Sequence, residues 1–380
     1  MKQSVAFLII AVFATSAVIV PLAVFFILDK DPGLEDELLF GVTYGQDTVE
    51  GAKILIDRVH TYTNIFIVDS SDVSNNKTKL DSVCNYAAEK NLSFIVYFFS
   101  LFAYDWQREW VVTANQTWGE KFLGVYLRDE PGGRQIELAE TVPNASSYGE
   151  AAESYVRTVS STPSMVFLKN NSIPVVTSDF ALYWFDYKAG FDVIFAQLGW
   201  NNSRIQEIGL CRGAATAHGK DWGSIITWTY QQPPYLENGP KIYQDMTTAY
   251  KAGAKYILLF NYPQFPENNQ YGILEDGHFL AMEQFWNYAK THPRDLTKTE
   301  GEVALVLPKD YGWGMRRPND SIWGLWPTDN DSALIWQNLN AFTEKYGLKL
   351  DIIYDDAKVF TKDYSEQYLW NQTINYESWQ

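Results

Sequence analysis

Eight short β-rich apolar runs recur between residues 40 and 262, and no other feature of the chain restricts its fold as much. They are FGVTYG at 40–45, NIFIVDS at 64–70, SFIVYFF at 93–99, FLGVYL at 122–127, IPVVTS at 173–178, DVIFAQLG at 192–199, GSIITWTY at 223–230 and KYILLFNY at 255–262. Runs such as FIVYFF have little polar alternation, as a sheet covered by helices on both faces requires. The segments between them supply those helices. DTVEGAKILIDRVHTY at 47–62 sets Ala52, Ile54, Leu55 and Val59 on one helical face, and TKLDSVCNYAAEKN at 78–91 and YQDMTTAYKAGA at 243–254 also read as helices, the last with Gly253 placed to close it. No Gly-rich phosphate loop follows the first run, so eight strand–helix units fit a closed (β/α)8 TIM-type barrel better than an open doubly wound sheet. The longer interval 131–171 has to hold a helix over 148–158 and a further element over SMVFLK at 164–169.

The barrel is expected over 38–290. THPRDLTKTEG at 291–301 reads as a linker, and 302–380 as a small α/β accessory domain. In that domain EVALVLPKD is a strand, 332–346 an amphipathic helix ended by Gly347, and LKLDIIYDD a second strand, with the last stretch left for caps or edge elements. At the other end, residues 5–28 are 24 positions without a charge. At 1.5 Å per residue they reach across a hydrocarbon layer of roughly 30 Å. Lys2 precedes them and the acid-rich DKDPGLEDE follows, which predicts a cytoplasmic tip and transmembrane anchor over 1–30. The expected location is therefore the cell membrane, single-pass, N-terminus inside and main domain outside, with the lipid bilayer as a partner. A cleaved signal peptide is the alternative, since ATSA at 14–17 is small, but the apolar run continues beyond a usual signal core.

Acceptor sequons for N-linked glycans agree with an extracellular setting: Asn76, Asn91, Asn115, Asn144, Asn170, Asn201, Asn319, Asn330 and Asn371. Cys84 and Cys211 are the only cysteines, and a disulfide between them is an open possibility. The net charge of −16 and the lack of a basic, aromatic-interleaved block argue against nucleic acid. Four scattered histidines, with no HExxH, predict no metal; no GxSxG elbow, Walker loop or dinucleotide fingerprint appears, and no cofactor is expected.

In a parallel barrel the carboxyl ends of all strands open on one face. Asp69 ends the second run, Asp129 and Glu130 the fourth, Asp179 follows the fifth and Gln197 ends the sixth. Trp228 and Tyr230 end the seventh, with Asn261 and Tyr262 at the end of the eighth. Glu130 is the expected proton donor, because Pro131 biases it toward an extended conformation and an aromatic cleft would raise its pKa. Asp179 and Asp69 are the available second carboxylates, and Asp179 has the alternative role of a helix cap. Fourteen Trp, 24 Tyr and 22 Phe make carbohydrate the expected ligand, since flat amphipathic rings suit sugar faces. Trp106 lies beyond a strand end, and Trp313 and Arg316 belong to GWGMRRPNDSIWGLWP at 312–327, a loop able to reach over the mouth. Domain-interface packing is that loop's other reading.

The architecture resembles the glycoside-hydrolase barrels, among them the large group in which a fourth-strand Asn-Glu-Pro supplies the acid/base. The comparable place here is Arg128-Asp129-Glu130-Pro131, so the resemblance implies that Glu130 inherits proton transfer. It departs at the seventh strand, where such enzymes place a nucleophilic Glu and this chain has Thr227-Trp228-Thr229-Tyr230. The DxxDxDxE run of the chitinase-like group is also absent, while a small α/β domain beside the barrel is similar to the arrangement in some β-galactosidases. The reading is a glycoside hydrolase acting outside the cytoplasm, with a catalytically inactive glycan-binding or cell-envelope barrel as the alternative.

Overall fold

Side chains alternate along a strand, so each strand of a closed barrel sends every second residue inward. The computed structural model, which describes residues 38–263, 269–295, 301–356 and 363–372, bears this out strand by strand. Strands β1 (Leu39–Tyr44), β2 (Ile65–Val68), β3 (Ser93–Phe98), β4 (Phe122–Leu127), β5 (Val175–Asp179), β6 (Val193–Leu198), β7 (Asp221–Ile226) and β8 (Tyr256–Leu259) are parallel and pair in sequence order. β8 returns to β1, with Leu39 opposite Tyr256, and closes the ring. Ile65 and Ile67, Ile95, Tyr126, Val176, Phe195, Ile225 and Leu258 meet in one buried cluster inside it. The alternate residues, such as Phe66, Phe94, Ile194 and Ile257, are buried as well, because helices cover the outer face.

The long interval after β4 holds helices Pro131–Leu138, Tyr148–Ser160 and Pro163–Asn170. Beyond the barrel, β9 (Val303–Leu307) lies between β10 (Leu350–Tyr354) and β11 (Glu366–Leu369), all parallel, with helix Asn330–Tyr346 between β9 and β10 in sequence. The third strand carried no sequence signal because EQYL is a short, largely exposed edge without an apolar run. This sheet is fixed to the barrel helix Arg204–His218 by a buried ion pair, Arg212 Nε to Asp351 Oδ1 at 2.7 Å, with side chains 3% and 0% exposed. Arg212 also donates to the carbonyls of Leu348 (2.6 Å) and Leu350 (3.1 Å), and the Tyr364 hydroxyl donates to Asp351 Oδ2 (2.9 Å).

One expectation is corrected, and one alternative left open is resolved. The anchor over 5–28 lies outside the described residues, and among the described residues no helix is long and apolar enough to cross a membrane. The longer ones, Asn330–Tyr346 and Asp276–Thr291, have 17 and 16 residues and carry charges along their length, whereas a span needs about 20 apolar positions. The fold class is accordingly a (β/α)8 barrel with a small α/β domain, and the transmembrane helix, the bilayer partner and the single-pass membrane location are withdrawn. No disulfide joins Cys84 to Cys211: both are free and buried, on helices Lys77–Glu89 and Arg204–His218. These helices follow β2 and β6, on opposite sides of the ring. All nine sequon asparagines are solvent-exposed.

Candidate active site

The alternation that fills the barrel also builds its mouth. One step past the apolar layers it places Asp69, Tyr97, Ser178, Gln197, Thr227 and Phe260 at the carboxyl-end rim. β4 departs from the pattern. It ends at Leu127, and the next residues turn sharply: Arg128 (φ 57°) and Glu130 (φ 52°) are both left-handed, on either side of Asp129, so Glu130 does not take the extended conformation expected before Pro131. A left-handed conformation costs a non-glycine residue about 1 kcal/mol or more, so it persists only where the surroundings fix it. Here Thr177 Oγ1 donates to the Arg128 carbonyl (2.6 Å), and Glu130 N donates to the Ser178 carbonyl (3.0 Å). The kink answers the difficulty that two neighbouring residues of a strand face opposite ways: outside the strand, Asp129 and Glu130 line one cavity.

The two acids have different partners. Tyr126 donates its hydroxyl hydrogen to Asp129 Oδ1, and Ser178 Oγ donates to the same oxygen at 2.8 Å. Gln197 Nε2 donates to Glu130 Oε1 (2.7 Å) and to Ser178 Oγ (3.0 Å), linking both halves of the network. Burial, and then the charge of Asp129, push Glu130 up to about 8. Burial raises Asp129 too, but the two hydroxyls oppose it, so Asp129 is the member that ionises first. Asp129 is open to solvent although protein surrounds it, as at the floor of a cleft. Asp69 stands at the same rim, and burial followed by the Asp129 charge holds its carboxyl well above the usual range.

Asp179 is elsewhere. It is fully buried at the end of β5, one residue out of phase with Ser178, and faces the helix layer. Its Oδ1 accepts from the amides of Gly133 (2.8 Å), Phe180 (2.7 Å) and Ala181 (3.1 Å), and its Oδ2 from Gly132 (2.6 Å). Asp179 thus caps the start of helix Pro131–Leu138. The two glycines let that helix come close: a Cβ on Gly132 would sit 2.4 Å from the Ala181 carbonyl oxygen, and one on Gly133 2.2 Å from the Phe180 ring. Their small size serves the chain's own packing. Asp179→Ala would strand four amides and is expected to lower stability by about 2–4 kcal/mol, read from urea unfolding.

The cavity at the barrel mouth, about 490 Å³, is bounded by Asp129, Glu130, Gln197, Thr227 and the aromatic rings of Phe180, Trp200, Trp228 and Phe260. Trp228 sits edge-on to Trp200 at 6.5 Å and tilted against Phe260 at 6.0 Å, and its Nε1 donates to the Tyr262 carbonyl (3.2 Å). Arg316 and Arg317 of the 312–327 loop also line it. Arg316 pairs with Glu137 (3.0 Å) and stacks 4.1 Å from the centre of the Phe180 ring. Buried glutamines fix that loop to the barrel: Gln135 Nε2 donates to the Trp323 carbonyl and Gln206 Nε2 to that of Met315, both at 2.6 Å.

Other predicted site residues fall outside this cavity. Tyr262 is exposed and stacks on Phe260. Tyr230 lies in an open groove formed with Trp200 and Pro233–Pro234. Asn261 is buried, accepting from the Ile273 amide (2.9 Å) to hold the following loop. Trp106 stacks against Tyr104, and Trp313 is fully buried with its Nε1 donating to the Asp320 carbonyl (2.7 Å). Sequence reasoning missed Tyr126, Ser178, Phe180 and Phe260. The period of two was the available signal for Ser178 and Phe260; nothing in the sequence marked Tyr126 or Phe180.

No protein-family model and no curated protein matches the sequence. Solved structures similar to the chain include a β-1,4-D-mannanase from Cryptopygus antarcticus, at 13% identity and a TM-score of 0.43, covering 70% of this chain and 93% of that one. A β-mannanase from the blue mussel Mytilus edulis has 8% identity and a TM-score of 0.40, covering 67% and 92%. A truncated 3-deoxy-D-arabino-heptulosonate 7-phosphate synthase from Thermotoga maritima has 10% identity and a TM-score of 0.38, covering 67% and 87%. Likenesses at this level assign no reaction to the chain, which is a closed eight-stranded parallel barrel with a small accessory β/α domain and acids buried at its mouth.

Proposed function

We propose that the protein hydrolyses glycosidic bonds in an oligo- or polysaccharide by carboxylate acid/base catalysis, with Glu130 as the proton donor. The observation that supports this is the contrast between two neighbouring acids in one aromatic-lined cavity: Glu130 keeps its proton to about pH 8, while hydroxyls favour the ionised form of Asp129. Environments that push two carboxyls apart are what acid/base assignment requires. Glu130 would protonate the bridging oxygen as the C–O bond breaks, and Asp129 would meet the positive charge that develops on the sugar. Asp129 takes the place first considered for Asp179, whose oxygens are occupied by backbone amides. Asp69 is a third carboxyl at the rim and the other source of a second acid.

A glycan-binding barrel without turnover is the second reading, because β7 is followed by Thr227 and Trp228 with no acid there. Reducing-end release from a broad oligosaccharide panel separates the two. Hydrolysis with kcat/KM falling above about pH 8 is the expected result, as Glu130 loses its proton. Binding across the panel with no released product would instead establish the second reading.

A further inference from the structure

Asp129 also borders a second cavity of about 480 Å³, which shares no other lining residue with the first. Its walls include Tyr97, Phe99, Phe102, Leu127, Met165 and Phe191. Phe99 and Phe102 are 77% and 48% exposed, large rings left open to water at the cavity edge. Phe102 is held in place, with the Arg108 guanidinium 4.6 Å from its centre and Phe167 edge-on at 6.3 Å.

Polar side chains of this second cavity have partners in the protein. Arg134 pairs with Glu140 (2.5 Å), and Arg128 donates to Thr141 Oγ1 (2.9 Å). Ser164 Oγ accepts from the Leu101 amide (3.0 Å), and Thr162 Oγ1 donates to the Val159 carbonyl (3.0 Å). Ser100 Oγ accepts from the Phe102 amide (3.1 Å), and the remaining polar side chains are Tyr97 and Asp129. Phe99, Phe102, Leu127, Met165 and Phe191 leave most of this wall apolar, so it suits a hydrocarbon group better than the hydroxyls of a sugar ring. The cavity at the barrel mouth differs: Gln197, Thr227 and Gln231 line it, and Asn202 Nδ2 is buried there with no partner among the described residues.

We propose that the second cavity is a subsite for an apolar group, and that the substrate is a sugar joined through oxygen to an aryl or alkyl chain. This rests on the hydrolase reading of the acid pair. The sugar occupies the tryptophan-lined cavity, the apolar chain lies over Phe99 and Phe102, and the bond to be cut lies at the junction beside Asp129 and Glu130. Cleavage then adds the elements of water: the Glu130 proton goes to the bridging oxygen, which leaves as the alcohol, hydroxide from water goes to the sugar carbon, and the water's other proton restores Glu130.

The test uses the full chain and 2-naphthol, an apolar alcohol with no sugar attached. The expected result is saturable binding by calorimetry, with a shift of the Met165 methyl signal in methyl-labelled protein, assigned through Met165→Leu. Phe99→Ser/Phe102→Ser, at exposed positions, is expected to raise Kd about tenfold. Leu280→Ser, an exposed site on helix Asp276–Thr291, should leave it unchanged. Absence of binding, no Met165 shift, or an unchanged Kd in the double variant would overturn the subsite. Since neither readout needs turnover, naphthol binding without hydrolysis of any glycoside supports the apolar subsite and overturns the hydrolase reading, and hydrolysis without naphthol binding does the reverse.

Discussion

Glu130→Gln is expected to lower kcat/KM by about 10²- to 10⁴-fold, the usual contribution of a positioned proton donor, with little change in substrate binding. The amide is close in shape to the carboxyl group, and its oxygen can still accept the Gln197 hydrogen bond that Glu130 Oε1 accepts at 2.7 Å. What disappears is the transferable proton. The same substitution also tests the protonation state through stability. With an ordinary value near 4.5 in the unfolded chain and about 8 in the folded one, Glu130 is protonated when folded and ionised when unfolded over that interval. The native state then binds the extra proton, so stability falls as pH rises from about 4.5 to about 8, and Glu130→Gln removes that part of the slope. Urea unfolding of parent and variant at pH 5 and pH 9 measures the difference. Equal slopes would show that Glu130 is already ionised near neutrality, and retained turnover would exclude it as the donor.

Asp351→Ala carries the largest expected effect on stability, a loss of about 3–5 kcal/mol. The Arg212 side chain is 3% exposed, and without its carboxylate a charge is left in a low-dielectric contact between the barrel and the small sheet. Tyr364 loses its acceptor in the same step. Changing both partners to apolar residues, Arg212→Met with Asp351→Leu, removes the charge together with its partner and is expected to cost much less. Calorimetric melting of the two variants and the parent separates a buried-charge penalty from a simple loss of packing. A single Asp351→Ala variant as stable as the parent would mean that water reaches Arg212.

The barrel was legible because its signal is redundant. Eight apolar runs with helical patterns between them leave few other arrangements, and each strand lies within a few residues of its run. The site was legible only in part. Glu130 stood out through its position before Pro131, but which neighbouring acids accompany it depends on side-chain phase and on the backbone after the strand. Asp179 differs from Ser178 by one residue, and that step turns it from the mouth to the helix layer. Conversely, left-handed angles at Arg128 and Glu130 bring Asp129 beside Glu130 against the alternation of a continuing strand. No residue type at these positions announces that conformation, since glycine is absent from both. The apolar side cavity was equally hidden, because Phe99, Phe102 and Met165 come from two separate connections that only the folded ring brings together.

The arginine-bearing wall of the mouth, residues 312–327, is held by Gln135 and Gln206 yet lies after all eight barrel strands in the chain. A ribosome therefore releases the ring before it releases this wall. Until that segment emerges the Gln206 amide lacks the Met315 carbonyl, whereas Gln135 keeps the Val142 carbonyl (3.1 Å), and the hollow lacks its arginine wall. The outline of the mouth is thus completed late in biosynthesis, by a segment outside the ring it closes.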